Sequence, residues 1–237
     1  MLKKILWLSV LIFGFANSDA TTEETSTMIT GEEHKTTVEK KKPLTEETSG
    51  RKYKIDYAKS LRKLEEALLV NGMRAQAMDI NSMMLRALIA SRGVSENEAA
   101  RIADNCLDGA VLFAAGSELN AGSVTVTIVN FSNGKSATEF DELGEKVSKS
   151  EIARFLAGLN TSYKLIKEEN IEQEDLNFIR YRHAERRTNE NVAIEISAVG
   201  IFGNVYVEMN FKNINGLTEN DVLKFMRLMS MELIIKE

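Results

Sequence analysis

Few residues in this chain could do chemistry, and their spacing argues for surfaces more than for reactions. There is one cysteine, Cys106, and there are two histidines, His34 and His183. That inventory excludes an intramolecular disulfide and any zinc site needing two or more thiolates, and it leaves little for imidazole catalysis. A Ser-His-Asp triad would have to use His183, because His34 lies in a polar tether. Asn133-Gly134-Lys135-Ser136 echoes the end of a phosphate-binding loop, but that loop needs glycine where this chain has Val129. Asp104, Cys106, Asp108 and Gly109 loosely echo a calcium loop, yet Cys106 stands at its third ligand position and Ala115 at its twelfth. The zinc-protease and nucleophile-elbow motifs are absent from the sequence. Scattered carboxylates permit a glycosidase pair only in the sense that any chain this rich in Asp and Glu does. No metal and no cofactor are expected.

Two features remain as interaction sites. Arg180, Arg182 and Arg186 share strand parity, opposite Ile179, Tyr181 and His183, so one sheet face is expected to carry a basic stripe for an acidic partner or an anionic glycan. The alternative is a solvated strand face whose charges discourage edge aggregation. Ile201 and Phe202 lie between Gly200 and Gly203, in a turn usually given to polar residues. Exposed, they would make a protein or lipid contact; folded beneath a helix, they are core.

The compartment follows from the N-terminus. Lys3 and Lys4 precede the apolar run Ile5 to Phe15, and small residues follow, the pattern of a secretory signal peptide. Cleavage is expected before Asp19 or before Thr21, and the run is too short for an ordinary spanning helix of roughly 20 residues. Removing Lys3 and Lys4 takes the formal charge from -5 to -7. An acidic chain with a pI near 5.4 is a poor nucleic-acid binder. The mature protein is expected to be soluble and periplasmic or secreted, with no stable membrane span. Cys106, in the apolar pattern Ala99, Ile102, Ala103, Cys106 and Ala110, reads as a small core residue on a helix.

The positioning elements fall into four segments of the 237 residues. Residues 1–20 are the signal. Residues 21–52, rich in Thr, Glu and Lys and holding the only proline, Pro43, read as a disordered tether. Residues 53–120 read as a helical segment of three amphipathic helices. The first carries Tyr57, Leu61, Leu64 and Leu68 before the stop signal Asn71-Gly72, and the second carries Met73, Ala77, Ile80, Met84 and Leu88 and ends near Gly93. The third starts at a Ser95–Glu98 capping box and runs to about Ala115.

Residues 121–237 read as an α+β domain. Ser123 to Phe131 is a strand ended by the Asn133-Gly134 turn signal, and helices follow over 138–147 and 149–158, the second with a Ser148–Glu151 box. Strands over 161–168 and 176–186 precede a hairpin. Its arms place Val192, Ile194, Ile196 and Ala198 opposite Val205, Val207, Met209 and Phe211. Pairing even with odd positions needs an even-length loop, and Gly200 to Gly203 is the expected one, because Ile201-Phe202 alone would force positive φ on bulky residues. A last helix starts at Thr218 and shows Val222, Phe225, Met229 and Leu233 on one face.

The fold class is therefore α+β: N-terminal helices, then a mostly antiparallel sheet of about five strands covered by helices, and a C-terminal helix. The leading functional expectation is an exported, non-enzymatic binding or accessory protein that meets a protein partner in the cell envelope. The alternatives are a periplasmic carboxylate-dependent hydrolase of cell-wall or glycan material and a carrier of hydrophobic ligands such as lipid.

Overall fold

The chain divides into two units, Met1–Leu44 and Thr45–Glu237. In the computed structural model the described residues all belong to the second: 52–55, 57–70, 73–116, 122–173, 176–214, 216–230 and 233–236. The signal reading, the tether reading up to residue 51, and the Asn71-Gly72 stop lie outside the described residues; Lys52, the last residue of the expected tether, begins a strand.

The order is β1 (Lys52–Ile55), α1 (Tyr57–Val70), β2 (Met73–Ile80), α2 (Ser82–Ser91), α3 (Glu96–Ala103), β3 (Cys106–Gly116), β4 (Ser123–Phe131), α4 (Gly134–Leu156), β5 (Ser162–Gln173), β6 (Leu176–Arg187), β7 (Val192–Phe202), β8 (Val205–Lys212), α5 (Glu219–Ser230) and β9 (Leu233–Lys236). Strands β2-β3-β4-β8-β7-β6-β5 form one seven-stranded antiparallel sheet, and β1 pairs with β9 in a separate two-stranded ribbon. The fold class is α+β, with a sheet larger than the five strands expected.

The two extra strands are the regions that periodicity assigned to helices. Met73 to Ile80 is β2, an edge strand that buries only its two ends, on opposite faces, so no period of two shows. Residues 106–116 are β3, covered on both faces, where Ala110, Val111, Leu112 and Ala114 are all buried and alternation disappears. Their alanines favour helix locally, and tertiary burial overrides that preference. The second helix accordingly covers Ser82–Ser91, and the third ends at Ala103. Ser95 caps it as expected, its Oγ accepting from the Glu98 N–H at 3.3 Å. One sheet thus takes strands from both sides of residue 120.

The Asn133-Gly134 pair starts a helix instead of turning the chain, because Asn133 Oδ1 accepts from the Ser136 N–H at 2.9 Å. A single helix of 23 residues replaces the two expected, and Ser148 and Glu151 lie inside it. At the hairpin, β7 runs on through Ile201 and Phe202, and the loop is the two-residue Gly203-Asn204. Gly203 alone takes the positive φ, 60°, where a II′ turn places its glycine. The even-odd pairing holds, with Ile196 opposite Phe211 and Ala198 opposite Met209. Thr218 caps α5, and Asp221 answers by accepting from the Thr218 N–H.

The front face of the sheet carries the larger core. Val124, Val126 and Ile128 of β4, Val205, Val207 and Met209 of β8, and Ile196 and Ala198 of β7 pack with Leu61 and Leu64 of α1 and Val222 and Met226 of α5. On the back face α4 lies over β8, where Phe140 packs edge-on to Tyr206 with centroids 4.8 Å apart. Leu85, Ile89 and Ile102 bury the inner sides of α2 and α3. Cys106 is buried in β3, not on a helix, and burial, with the Asp108 charge adding to it, pushes its thiol up to about 11.

Two expectations follow. A β-carbon at Gly109 would stand 2.5 Å from the Ile128 carbonyl oxygen, whereas one at Gly144 of α4 would meet no atom within 4 Å. Gly109→Ala should therefore cost about 3 kcal/mol in urea unfolding, and Gly144→Ala should stabilise by about 0.5–1 kcal/mol. At pH 8 the raised thiol of Cys106 should alkylate with iodoacetamide about 100-fold more slowly in the folded chain than in urea, as followed by intact-mass spectrometry.

Candidate functional site

The arginine stripe lies on the back face, beneath and beside α4. Asp141 and Glu145, one helical turn apart, both meet Arg180. Its Nη2 lies 2.5 Å from Asp141 Oδ1, and its Nη1 lies 3.1 Å from Asp141 Oδ2 and 2.5 Å from Glu145 Oε1. The Arg180 side chain is 11% exposed and that of Asp141 8%, so this is a buried, bidentate pair. Burial pulls the guanidinium down, but hydrogen bonding to Asp141 and the charges of Asp141 and Glu145 hold it above its ordinary value.

Arg182 Nη2 bonds Glu168 Oε1 at 2.6 Å. Arg186 Nε lies 2.8 Å from Glu195 Oε2 without directing its N–H there, so this is a charge contact, and the guanidinium lies 5.4 Å from the centre of the Phe155 ring. All three arginines share a face, as parity required, but each meets a carboxylate, so the stripe is not an open basic surface. Ile201 and Phe202 are 6% and 3% exposed, and Phe202 belongs to the front core. The exposed-tip reading is thereby corrected: the strand continues two residues past Gly200, which carries both side chains inside. His183 is half-buried in β6, paired with Lys167 and Ile196.

The arrangement that single-strand reasoning missed is a row running across the whole back face. Strand register places Gln76, Phe113, Thr125, Asn210, Ser197, Arg182 and Glu168 side by side, one from each of the seven strands. Gln76, Asn210 and Glu168 are exposed, Phe113, Ser197 and Arg182 partly so, and Thr125 is buried. The next row adds Arg74, Ala115, Ser123, Lys212, Glu195, Ala184 and Leu165. On the other side lies Glu208 of β8, between Thr127 and Val199. Arg92, the C-cap of α2, is held below its ordinary value by burial, against the opposing charges of Glu208, Tyr206 and Glu151. Tyr206 itself is pushed well up by burial and by Glu208 and Asp141. The signal for this row was present in the polar alternates of β4 and β8, Thr125, Thr127, Glu208 and Asn210.

The row offers hydroxyl, amide, guanidinium and carboxylate groups at strand spacing, with one partly exposed ring. That chemistry suits polar recognition across a sheet face.

No family model matches the chain, and no curated protein matches it. Among solved structures, it is similar to the extracellular domain of PknH from Mycobacterium tuberculosis, with a TM-score of 0.44 and 9% identity over 72% of this chain and 89% of that one. It is also similar to cyanobacterial PsbP (CyanoP) from Synechocystis sp. PCC 6803, with a TM-score of 0.35 and 10% identity over 53% of this chain and 74% of that one.

The two ion pairs should separate by burial. Asp141→Ala leaves a buried guanidinium with one remaining carboxylate and should cost about 3 kcal/mol. Arg182→Ala removes a partly solvated pair and should cost under about 1 kcal/mol. Urea midpoints at constant slope measure both, and equal losses would contradict the assignment of burial.

Proposed function

We propose that this chain is an exported, non-enzymatic binding or accessory protein that engages a protein partner of the cell envelope through the open half of the back face. The polar row carries the reading. Seven strands about 4.8 Å apart give it a length of about 29 Å, comparable to one side of a standard patch of about 800 Å². Its balance of polar groups with one accessible aromatic, Phe113, is that of a non-obligate interface. Of the stripe, Arg182 takes part in the surface, while Arg180 and Arg186 support it from beneath and beside α4.

Export rests on the N-terminal pattern of Lys3-Lys4, Ile5 to Phe15 and the small residues after it. Among the described residues no helix is long and apolar enough to cross a membrane. The hydrolase alternative finds less support, since Asp141, Glu145, Glu168 and Glu195 each already engage an arginine. So does the carrier alternative, since Met209 and Met226 fill the front core at 0% exposure.

A photo-crosslinking residue at Asn210, in the full-length chain within its native envelope, should yield one discrete protein adduct, and the same residue at exposed Glu190 in the β6–β7 turn should yield none. The mature chain should begin at Asp19 or Thr21 by mass spectrometry. Equal adducts at both positions, none at either, or an adduct with glycan or lipid alone would overturn the reading.

A further inference from the structure

The two edges of the sheet are built differently. Edge strand β5 shifts register between Leu165 and Lys167 and again between Ile171 and Gln173, and it carries Lys164, Lys167, Glu168 and Glu169. Bulges and charges of this kind discourage a further strand. At the other edge, β2 pairs with β3 over all eight residues, Met73 to Ile80, without a bulge. Among the described residues no strand lies on its outer side. Arg74 to Asp79 are partly or fully exposed and include neither proline nor lysine, and Met78 is 39% exposed on the back face. On the front face a hollow of about 260 Å³ adjoins this edge, lined by Met73 and Ala75 of β2 and by Arg62, Glu65 and Glu66 of α1.

We propose that the β2 edge accepts an extended segment of a partner protein as an eighth strand, and that this segment carries a lysine or arginine whose side chain enters the hollow. The open backbone groups of β2 supply the pairing, as in other strand additions, and alternate side chains supply the choice of partner. Met73 and Ala75 give an apolar base for a long aliphatic stem, while two carboxylates against one guanidinium leave an acidic rim for its charged end.

The same charges argue against a second copy of this chain. A two-fold axis through the sheet pairs residues of equal parity. With Gln76 opposite its own copy, Asp79 falls across from Met73; with Ala77 opposite its own copy, Asp79 falls across from Ala75. Either register brings a carboxylate to the acidic rim, which like-charge repulsion opposes. The inference rests on the chain being a binding protein but not on the Asn210 row, which lies on the other face of the sheet.

The probe is a fluorescein-labelled ten-residue peptide of alternating threonine and valine with one central lysine, compared with the same peptide carrying glutamate. Anisotropy with the mature chain should show the lysine peptide binding about fivefold more tightly. The Glu65→Lys, Glu66→Lys double variant should reverse that order. Asn210→Arg should leave it unchanged, which separates this edge from the row. Amide shifts in two-dimensional NMR should concentrate in Met73 to Ile80. Equal affinity for the two peptides, shifts centred on the Asn210 row, no binding, or a concentration-dependent dimer lost on Asp79→Lys would each overturn the proposal.

Discussion

One short turn holds the register on which the sheet depends. Gly203 takes the positive φ that lets Phe202 and Val205 pair directly, and Asn204 joins that turn to the end of β4 twice. The Asn204 side chain donates to the Phe131 carbonyl at 2.8 Å, and the Phe131 N–H donates to the Asn204 carbonyl at 2.9 Å. Asn204 is 4% exposed, so these bonds are made away from water, where an unmade one is costly. They tie β7, β8 and β4 into one register. A slip of one residue would turn Val205, Val207 and Met209 out of the front core and bring Tyr206 and Glu208 into it. Two residues after Phe131, Asn133 caps α4, so the position of the helix over the back face follows from the same corner.

The electrostatics then divide the back face. Arg180, in β6, is held by two carboxylates one turn apart on α4, an arrangement a planar guanidinium can satisfy and an ammonium cannot match. Farther along, Arg186 lies against Phe155 near the end of the same helix. These contacts draw α4 over the β6 side of the sheet, and Arg101 of α3 reaches Glu139 of α4 at 2.5 Å. The central part of the row, around Asn210 and Ser197, stays accessible to solvent. The arginines thus act as fastenings whose placement leaves polar groups beside them accessible to solvent.

The two sheet edges show the same economy of local rules. Lysines, glutamates and two register shifts interrupt β5, while β2 keeps one unbroken register with β3. The small side chain of Ala75 lines the hollow beside this edge together with Met73.

Much of this was legible in the residues themselves. Alternation identified β4 and the β7–β8 hairpin, since each has a front set that only one buried face can accept. Ser95 and Thr218 marked helix starts, because a cap is a contact within one turn. The shared face of Arg180, Arg182 and Arg186 followed from parity alone. Only the tertiary structure could decide the rest. Residues 73–80 and 106–116 became strands because an edge and a doubly covered interior each erase the period of two. Ile201 and Phe202 became core because β7 extends to a turn set by β4. The stripe lost its open charge because carboxylates from three other elements meet it: Asp141 and Glu145 of α4 reach Arg180, Glu168 of β5 reaches Arg182 and Glu195 of β7 lies against Arg186. The polar row exists only when seven strands lie in register. Local pattern determines what a residue can do with its near neighbours; strand order, which long-range burial selects, determines which distant residues it meets.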